Sequence, residues 1–337
     1  MTTNEATATH QPTPHVVVED LTVRFPNRNQ NPTTIVDHVS FKLDRGSITG
    51  LVGESGCGKS VTALAMMGLV DHAEVSGIVR IGNRNLIGMP EAALRSMRGK
   101  VVSMVFQEPL SALNPVLTIE NQLAEIFRLH QGVSRKATRK LAADMLARVG
   151  LSDPERRLRQ YPHQISGGMR QRVLIAMALA CKPKLLIADE PTTALDVTVQ
   201  SQILSLLREL QQEMNLTILF ITHDLAVVSQ VCQKVIVLYS GRIVESGTVV
   251  DLFHHPAHPY TRGLLDCLPS GHQPGQPLSE MPGLLPDPAH RPTGCAFRPR
   301  CQWADTACGE QEPPLEPIDG ESDHLVRCIH PLTGAQT

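Results

Sequence analysis

The sequence predicts an α/β fold followed by a small, irregular, cysteine-rich C-terminal extension. Three observations carry this. The short apolar runs KLLIADEP, TILFITHD and KVIVLY each finish on a polar end, as buried strands do. Helical patterns separate the first two, which suits a parallel sheet with crossover helices. After about residue 265 the texture turns to Pro and Gly, in PSGHQPGQPLSEMPGLLPDPAHRPTG, and four of the eight cysteines fall in the last 43 residues.

The elements follow in order. MTTNEATATHQPTPH is polar and lacks the charged-then-apolar pattern of a secretory signal, so residues 1–15 are expected to be a disordered lead-in. From residue 16, VVVEDLTVRF alternates like a strand, and TTIVDHVSFKL does the same after a polar loop. DRGSITGLVG reads as a turn and a buried strand, followed by GESGCGKS and the helix-like VTALAMMGLV. KATRKLAADMLARVG spaces Leu141, Met145 and Val149 four apart, an amphipathic helix. ERRLRQ (155–160) reads as a solvated helix face, and HHPAHPY (254–260) as a loop whose spacing matches no standard metal site. Ser240-Gly241 joins KVIVLY to RIVESG as a two-residue hairpin. No internal repeat is present.

The totals bound the function. At 337 residues there is room for one large domain with an appendage, or for two modest domains. A net charge of −2 provides no basic field for nucleic acid. No run reaches the roughly 18 apolar residues needed to cross a bilayer. The most apolar one, VLIAMALACKPKLLIA (173–188), is broken by Lys182, Pro183 and Lys184. A cytosolic address is therefore expected, where disulfides do not persist.

GESGCGKS (53–60) fits G-x-x-x-x-G-K-[ST] and lies between a predicted strand and a predicted helix, the context that motif requires. Glycines let the loop curl so that its N–H groups face phosphate oxygens. The candidate ATP-binding residues are Gly53, Glu54, Ser55, Gly56, Cys57, Gly58, Lys59, Ser60 and the adjoining Val61. Lys59 would reach the β- and γ-phosphates and the Ser60 hydroxyl would bind Mg²⁺. Cys57 stands at a variable position where a small side chain suffices. LLIADE ends a second strand in Asp189, placed to serve Mg²⁺, and Glu190, placed to polarise the attacking water.

Several further motifs complete an ordered set. ISGGMRQR (165–172), VFQEP with Gln107, TALD ending at Asp196 and ITHD with His223 all stand in sequence around these sites. Over residues 16–265 the chain thereby resembles an ABC-type ATPase subunit. The resemblance implies a P-loop NTPase with a RecA-like core, an antiparallel β-subdomain and a helical signature subdomain at about 110–170. It makes Gln107 the Q-loop residue and a third group near Mg²⁺, and it makes His223 the switch histidine. Phe25 becomes the aromatic that stacks on adenine. Met169 stands where many members have Gln.

The signature has a physical reading of its own. Ser166 can cap a helix through MRQRVLIAMALA, and the two glycines let a phosphate approach that N-terminus. One ATP needs only one phosphate loop, so a second anion site calls for a partner. In ABC ATPases two cassettes pair head to tail. By resemblance Ser166, Gly167, Gly168, Met169 and Asp196 would touch the ATP held by the other cassette.

The tail cysteines Cys295, Cys301, Cys308 and Cys328 are spaced C-x5-C-x6-C-x19-C, which matches neither ferredoxin runs nor common zinc fingers. Their residue type says only that four thiolates could converge on one soft metal centre. HPAHPYTRGLL (255–265), GCAFRPRC and the late RCIHP resemble the C-terminal extension of oligopeptide and dipeptide importer ATPases. In some members those cysteines ligate a [4Fe–4S] cluster, which the resemblance implies for residues 266–337 here. Structural Zn²⁺ and inert buried thiols stay open as alternatives.

Taken together, the resemblance implies the ATP-hydrolysing subunit of an ABC importer for di- or oligopeptides, at the cytoplasmic face of the cell membrane. Its expected partners are a second, paralogous ABC ATPase subunit, two membrane permease subunits and an extracytoplasmic solute-binding protein, with no nucleic acid. An importer ATPase for nickel or glutathione, or a soluble ABC ATPase acting on ribosomes or DNA, are the alternatives.

Overall fold

A computed structural model describes residues 14–27, 31–193, 195–268, 280–320 and 323–332. Of the expected lead-in 1–15, residues 1–13 lie outside the described residues, as does the Pro-rich stretch 269–279, but Pro14 and His15 already belong to the first strand, with His15 buried.

The first strands are β1 (Pro14–Phe25), β2 (Thr33–Asp44), β3 (Ile48–Val52), β4 (Glu74–Ile81), β5 (Arg84–Asn85) and β6 (Val102–Val105). They are followed by β7 (Leu185–Asp189), β8 (Thr217–Thr222), β9 (Lys234–Tyr239), β10 (Arg242–Thr248), β11 (Glu316–Pro317) and β12 (Leu325–Val326). Helices α1 (Lys59–Met66) and α2 (Glu91–Met97) precede a helical segment. That segment holds α3 (Pro109–Ala112), α4 (Ile119–Gln131), α5 (Arg135–Arg148), α6 (Pro154–Leu158) and α7 (Gly167–Leu179). After it come α8 (Val197–Met214), α9 (Leu225–Val231), α10 (Val249–His254) and α11 (Pro259–Asp266).

Among the described residues the strands form two sheets, ordered β2-β1-β4-β5 and β11-β12-β10-β9-β3-β8-β7-β6. The first is antiparallel, and part of β2 alternates buried and exposed side chains, so one face meets solvent. In the second, β3 runs parallel to β8 and β9, and β7 runs parallel to β6 and β8. Every residue of β3, β7 and β8 is buried, which is why their sequences read as unbroken apolar runs. The β9–β10 hairpin turns on Ser240 (φ 46°) and Gly241 (φ 79°), the left-handed pair that such a two-residue turn needs.

Two apolar cores cover the two faces of the main sheet. Strand β7 sends Leu186 and Ala188 into one and Leu185 and Ile187 into the other. The first core packs the helical segment through Phe127, Leu146 and Ile175; the second packs α1 and the antiparallel sheet through Met66, Val16 and Phe41. In the helical segment Thr118 caps α4 by accepting from the Asn121 N–H, and Gly132 (φ 65°) closes it. Met145 and Val149 are buried on the apolar side of α5, as the four-residue spacing requires. The basic run on α6 hides one anchor, since Leu158 is fully buried beneath its exposed neighbours.

The C-terminal extension is built into this body. Strand β12 pairs antiparallel with β10, and β11 with β12, so the tail prolongs the main sheet. Phe297 sits in the first core against Tyr239 and Tyr260. Glu245 of β10 is wholly buried; it accepts from the N–H groups of Ala257 (2.8 Å) and His258 (2.9 Å) and pairs with His324 (2.7 Å).

Candidate nucleotide and thiol sites

The loop 53–60 leaves the C-terminal end of β3, between two parallel neighbours, and enters α1. Two glycines there are steric necessities. Gly58 begins the helix at φ 108°, and a Cβ at Gly53 would lie 2.2 Å from the Leu238 carbonyl oxygen. Lys59 is buried and its Nζ donates to the carbonyls of Gly53 (2.7 Å) and Glu54 (3.0 Å). Ser55, Gly56, Gly58, Lys59, Ser60, Val61, Gln107 and Glu190 line one cleft of about 280 Å³, together with Ile35. Burial drives the Cys57 thiol up to about 11, so it stays neutral, which fits a packing role.

Both carboxylates stand at the C-terminal end of β7, where Glu190 lines the cleft and Asp189 reaches Ser60 beside it. The Ser60 hydroxyl donates to Asp189 Oδ1 at 3.3 Å, which brings together the two groups expected at Mg²⁺. Burial raises the Asp189 pKa, eased by the Ser60 hydrogen bond and reinforced by the charge of Glu190. Glu190 takes a left-handed backbone conformation (φ 45°) as its N–H donates to Ile221 O at 2.9 Å. Its carboxylate accepts from Gln107 Nε2 (2.9 Å) and the Thr193 hydroxyl (2.9 Å), with His223 Nδ1 at 3.1 Å. Burial opposes ionisation of Glu190, but the hydrogen bonds of His223 and Thr193 outweigh it and leave its pKa below the ordinary value. An ionised carboxylate held from three sides is suited to orient water.

Other expected residues sit elsewhere. Phe25 ends β1, half-buried; Ile35 of β2 rather than Phe25 lines the cleft. Ser166 and Gly167 are exposed at the start of α7, with the Ser166 hydroxyl accepting from the Met169 N–H at 3.4 Å. Gly168 is also a packing residue, since a Cβ there would meet Val199 Cγ1 at 2.5 Å. Asp196 caps α8 by accepting from the Val199 N–H at 2.9 Å. Ala194, within the TALD motif, lies outside the described residues.

Cys295, Cys301, Cys308 and Cys328 line a second cavity, with Phe297, Trp303, His258 and His330 on its wall. None of the four is in a disulfide. Burial raises the thiols of Cys295, Cys301 and Cys328, the last to about 12, and the neighbouring sulfurs push Cys328 further in the same direction. Among the described residues, the ligand atoms of Asp305, Cys308 and His330 lie within 4.8 Å of one another, whereas the four sulfurs form no such group.

Sequence reading missed several groups. The histidine run 254–260 is only partly a loop: His258 is buried, its Nδ1 accepts from the Tyr260 N–H (3.0 Å), and its ring borders the thiol cavity. Burial lowers the His258 pKa to about 4, so the ring is neutral. Tyr260 presents its hydroxyl to the Glu54 N–H at 2.8 Å, so this loop amide serves Tyr260 rather than the cleft. That contact joins residues 206 apart in the chain, beyond the reach of any local pattern. Thr193 follows Glu190 by three residues and could have been found as a turn hydroxyl.

A glycine loop from a buried strand into a helix, a lysine folded into it and a carboxylate pair on the next strand but one define a P-loop nucleotide-binding protein. The profile for ABC transporters matches residues 36–193, and that for the C-terminal region of oligopeptide/dipeptide transporters matches residues 244–308. The dipeptide transport ATP-binding protein DppD of Escherichia coli is 45% identical over 321 residues, covering 94% of this chain and 97% of the relative. The oligopeptide transport ATP-binding protein AppD of Bacillus subtilis is 46% identical over 305 residues, with 90% and 92% covered. A solved dimeric ATP-binding cassette in a post-hydrolysis state, bound to ADP and Pi, superposes with a TM-score of 0.62 at 28% identity, over 69% of this chain and 98% of that one. The chain belongs to the ABC transporter family of ATP-binding proteins and is an ATPase of that family.

Proposed function

We propose that this chain is the ATP-hydrolysing subunit of an importer for di- or oligopeptides, working as one of two paired cassettes beneath separate permease subunits. The observation that carries this reading is the end-to-end similarity to dipeptide and oligopeptide transport subunits, including a C-terminal region that those relatives share. No helix among the described residues is long and apolar enough to cross a membrane, so translocation would belong to other chains. Phe106, Val116 and Tyr161 expose apolar surface on and beside the helical segment, which suits docking on such partners. An extracytoplasmic solute-binding protein would select the peptide and deliver it.

In this reading Lys59 and the free loop amides would hold the phosphates, and Ser60, Gln107 and Asp189 would hold Mg²⁺. The ion would neutralise phosphate charge. Glu190 orients the attacking water and His223 contacts the γ-phosphate. Phe25 stacks on adenine. Ser166, Gly167, Gly168, Met169 and Asp196 act on the ATP of the opposing cassette, a paralogous chain. Residues 16–265 are then the cassette and 266–337 its extension.

For the extension we propose a [4Fe–4S] cluster on Cys295, Cys301, Cys308 and Cys328. Four free thiols on one cavity wall form an all-sulfur donor set of the kind such clusters take. A single zinc on four thiolates, with Zn–S near 2.3 Å, would draw its sulfurs to within about 4 Å of one another. Among the described residues the four sulfurs are not gathered that closely. The grouping of Asp305, Cys308 and His330 favours the second reading, one zinc ion on mixed ligands.

Purification from membranes tests the transport reading. Permease subunits and a bound peptide are expected to co-purify; recovery with ribosomes or DNA and no permease would overturn it. Anaerobically purified protein should be brown with about four irons per chain. Colourless protein with stoichiometric zinc would replace the cluster by the zinc site.

A further inference from the structure

Glu54, the second residue of the phosphate loop, is gripped from the C-terminal extension. Arg300 places both outer nitrogens on its carboxylate, Nη1 to Oε2 at 2.7 Å and Nη2 to Oε1 at 2.8 Å. The guanidinium is itself fixed: its Nε donates to Pro282 O at 2.7 Å, and it lies 5.8 Å from the ring centres of both Tyr239 and Phe297. Its side chain is 4% exposed, against 29% for Glu54. The Glu54 N–H is meanwhile held by Tyr260, so main chain and side chain of one loop residue are both committed to C-terminal partners. Leu285 of the extension comes up beside Gly56, 3.7 Å from where a Cβ would stand.

We propose that Arg300 is a positioning residue for the nucleotide site, acting on the phosphate loop through Glu54. This rests on residues 53–60 being the ATP phosphate loop. Arg300 does two things there. Its planar fork fixes the carboxylate bidentately, so the loop is pre-shaped before nucleotide arrives. Its charge also cancels that of Glu54, which would otherwise repel a triphosphate in a poorly screened site. Neither effect grows as the γ-phosphate bond breaks, so both bear on ATP binding rather than on the chemical step. Arg300 immediately precedes Cys301 and follows Cys295, so the grip is anchored on the loop that carries two of the four cavity thiols.

The test is equilibrium binding of a fluorescent ATP analogue to the full-length chain, paired with steady-state ATPase rates in the assembled transporter. Arg300→Met should raise Kd and KM about tenfold while kcat falls less than twofold. Arg300→Lys keeps the charge without the fork and should fall between wild type and Arg300→Met. Glu54→Gln removes the repulsion and the ion pair together, so its Kd should rise about threefold to fivefold. In that background Arg300→Met should add less than a further twofold. A folded Arg300→Met protein with Kd within twofold of wild type would overturn the proposal, as would additive effects of the two substitutions. Should Arg300→Met fail to fold, Glu54→Gln decides: a Kd within twofold of wild type overturns the link. Lys59→Ala is the reference. If it binds the analogue like wild type, the phosphate-loop assignment falls and this proposal with it; if only it loses affinity, the loop stands and the role of Arg300 falls.

Discussion

The nucleotide cleft and the thiol cavity are built in opposite ways. The cleft draws its groups from the ends of fully buried parallel strands, so backbone pairing sets their positions before any side chain is placed. The cavity draws its groups from a segment that has, among the described residues, two two-residue strands, fixed by side-chain contacts: Arg300 on Glu54, Arg291 on Asp37, Arg242 on Glu312 and His324 on Glu245. The first design tolerates loss of one polar contact structurally but not chemically. The second has little backbone pairing of its own, and its side-chain joints carry the structure.

The largest expected effect breaks only the first region. Glu190→Gln should cut ATP turnover about 10³-fold while nucleotide binding and the thermal stability of the full chain persist. A variant that also lost stability in the extension, read as new protease sensitivity there, would show that the two regions are not separate designs. Next comes the joint between them. Glu245→Gln replaces a buried carboxylate that accepts two N–H groups and pairs with His324 by an amide that must turn its own donor on one of them. Thermal or denaturant unfolding should show a loss of roughly 2–3 kcal/mol. A loss below about 0.5 kcal/mol would mean that the tail needs no such joint.

The smallest effect is a pH dependence at the Arg291 contact. Burial pushes Asp37 up, but the charges of Arg242 and Arg291 outweigh it and hold its carboxyl below the ordinary value of 3.8. With the folded value depressed, the stabilisation is fully present above 3.8 and is lost as pH falls through the folded value. Asp37→Asn should therefore cost about 1 kcal/mol at neutral pH and flatten the acid limb of stability below pH 4. An unchanged acid limb would remove the ion pair from the ties that hold the extension.

Much of the candidate nucleotide site was legible in the sequence because each part carries a local signature. GESGCGKS needs glycines at Gly53 and Gly58 for steric reasons that the structure displays, and LLIADE reads as a strand because both faces of β7 are covered. Ser166 announces itself as a helix cap, whereas the cap that Asp196 makes on α8 emerged only from the structure. Met145 and Val149 were readable by spacing, whereas Leu158 was hidden in a basic run.

The amino-acid sequence by itself determined the α/β alternation, the hairpin at Ser240-Gly241 and the residues of the phosphate loop and strand-end carboxylates. These depend on periodicity, sterics and caps, which act over a few residues. Only the tertiary structure decided that Gln107, Thr193 and His223 meet on Glu190, that His258 borders the thiols, and that Arg300 reaches Glu54 across 246 residues. Such pairs leave no local pattern. A buried guanidinium or carboxylate must find a partner, but which partner depends on how sheet order and the two cores fold the chain back on itself.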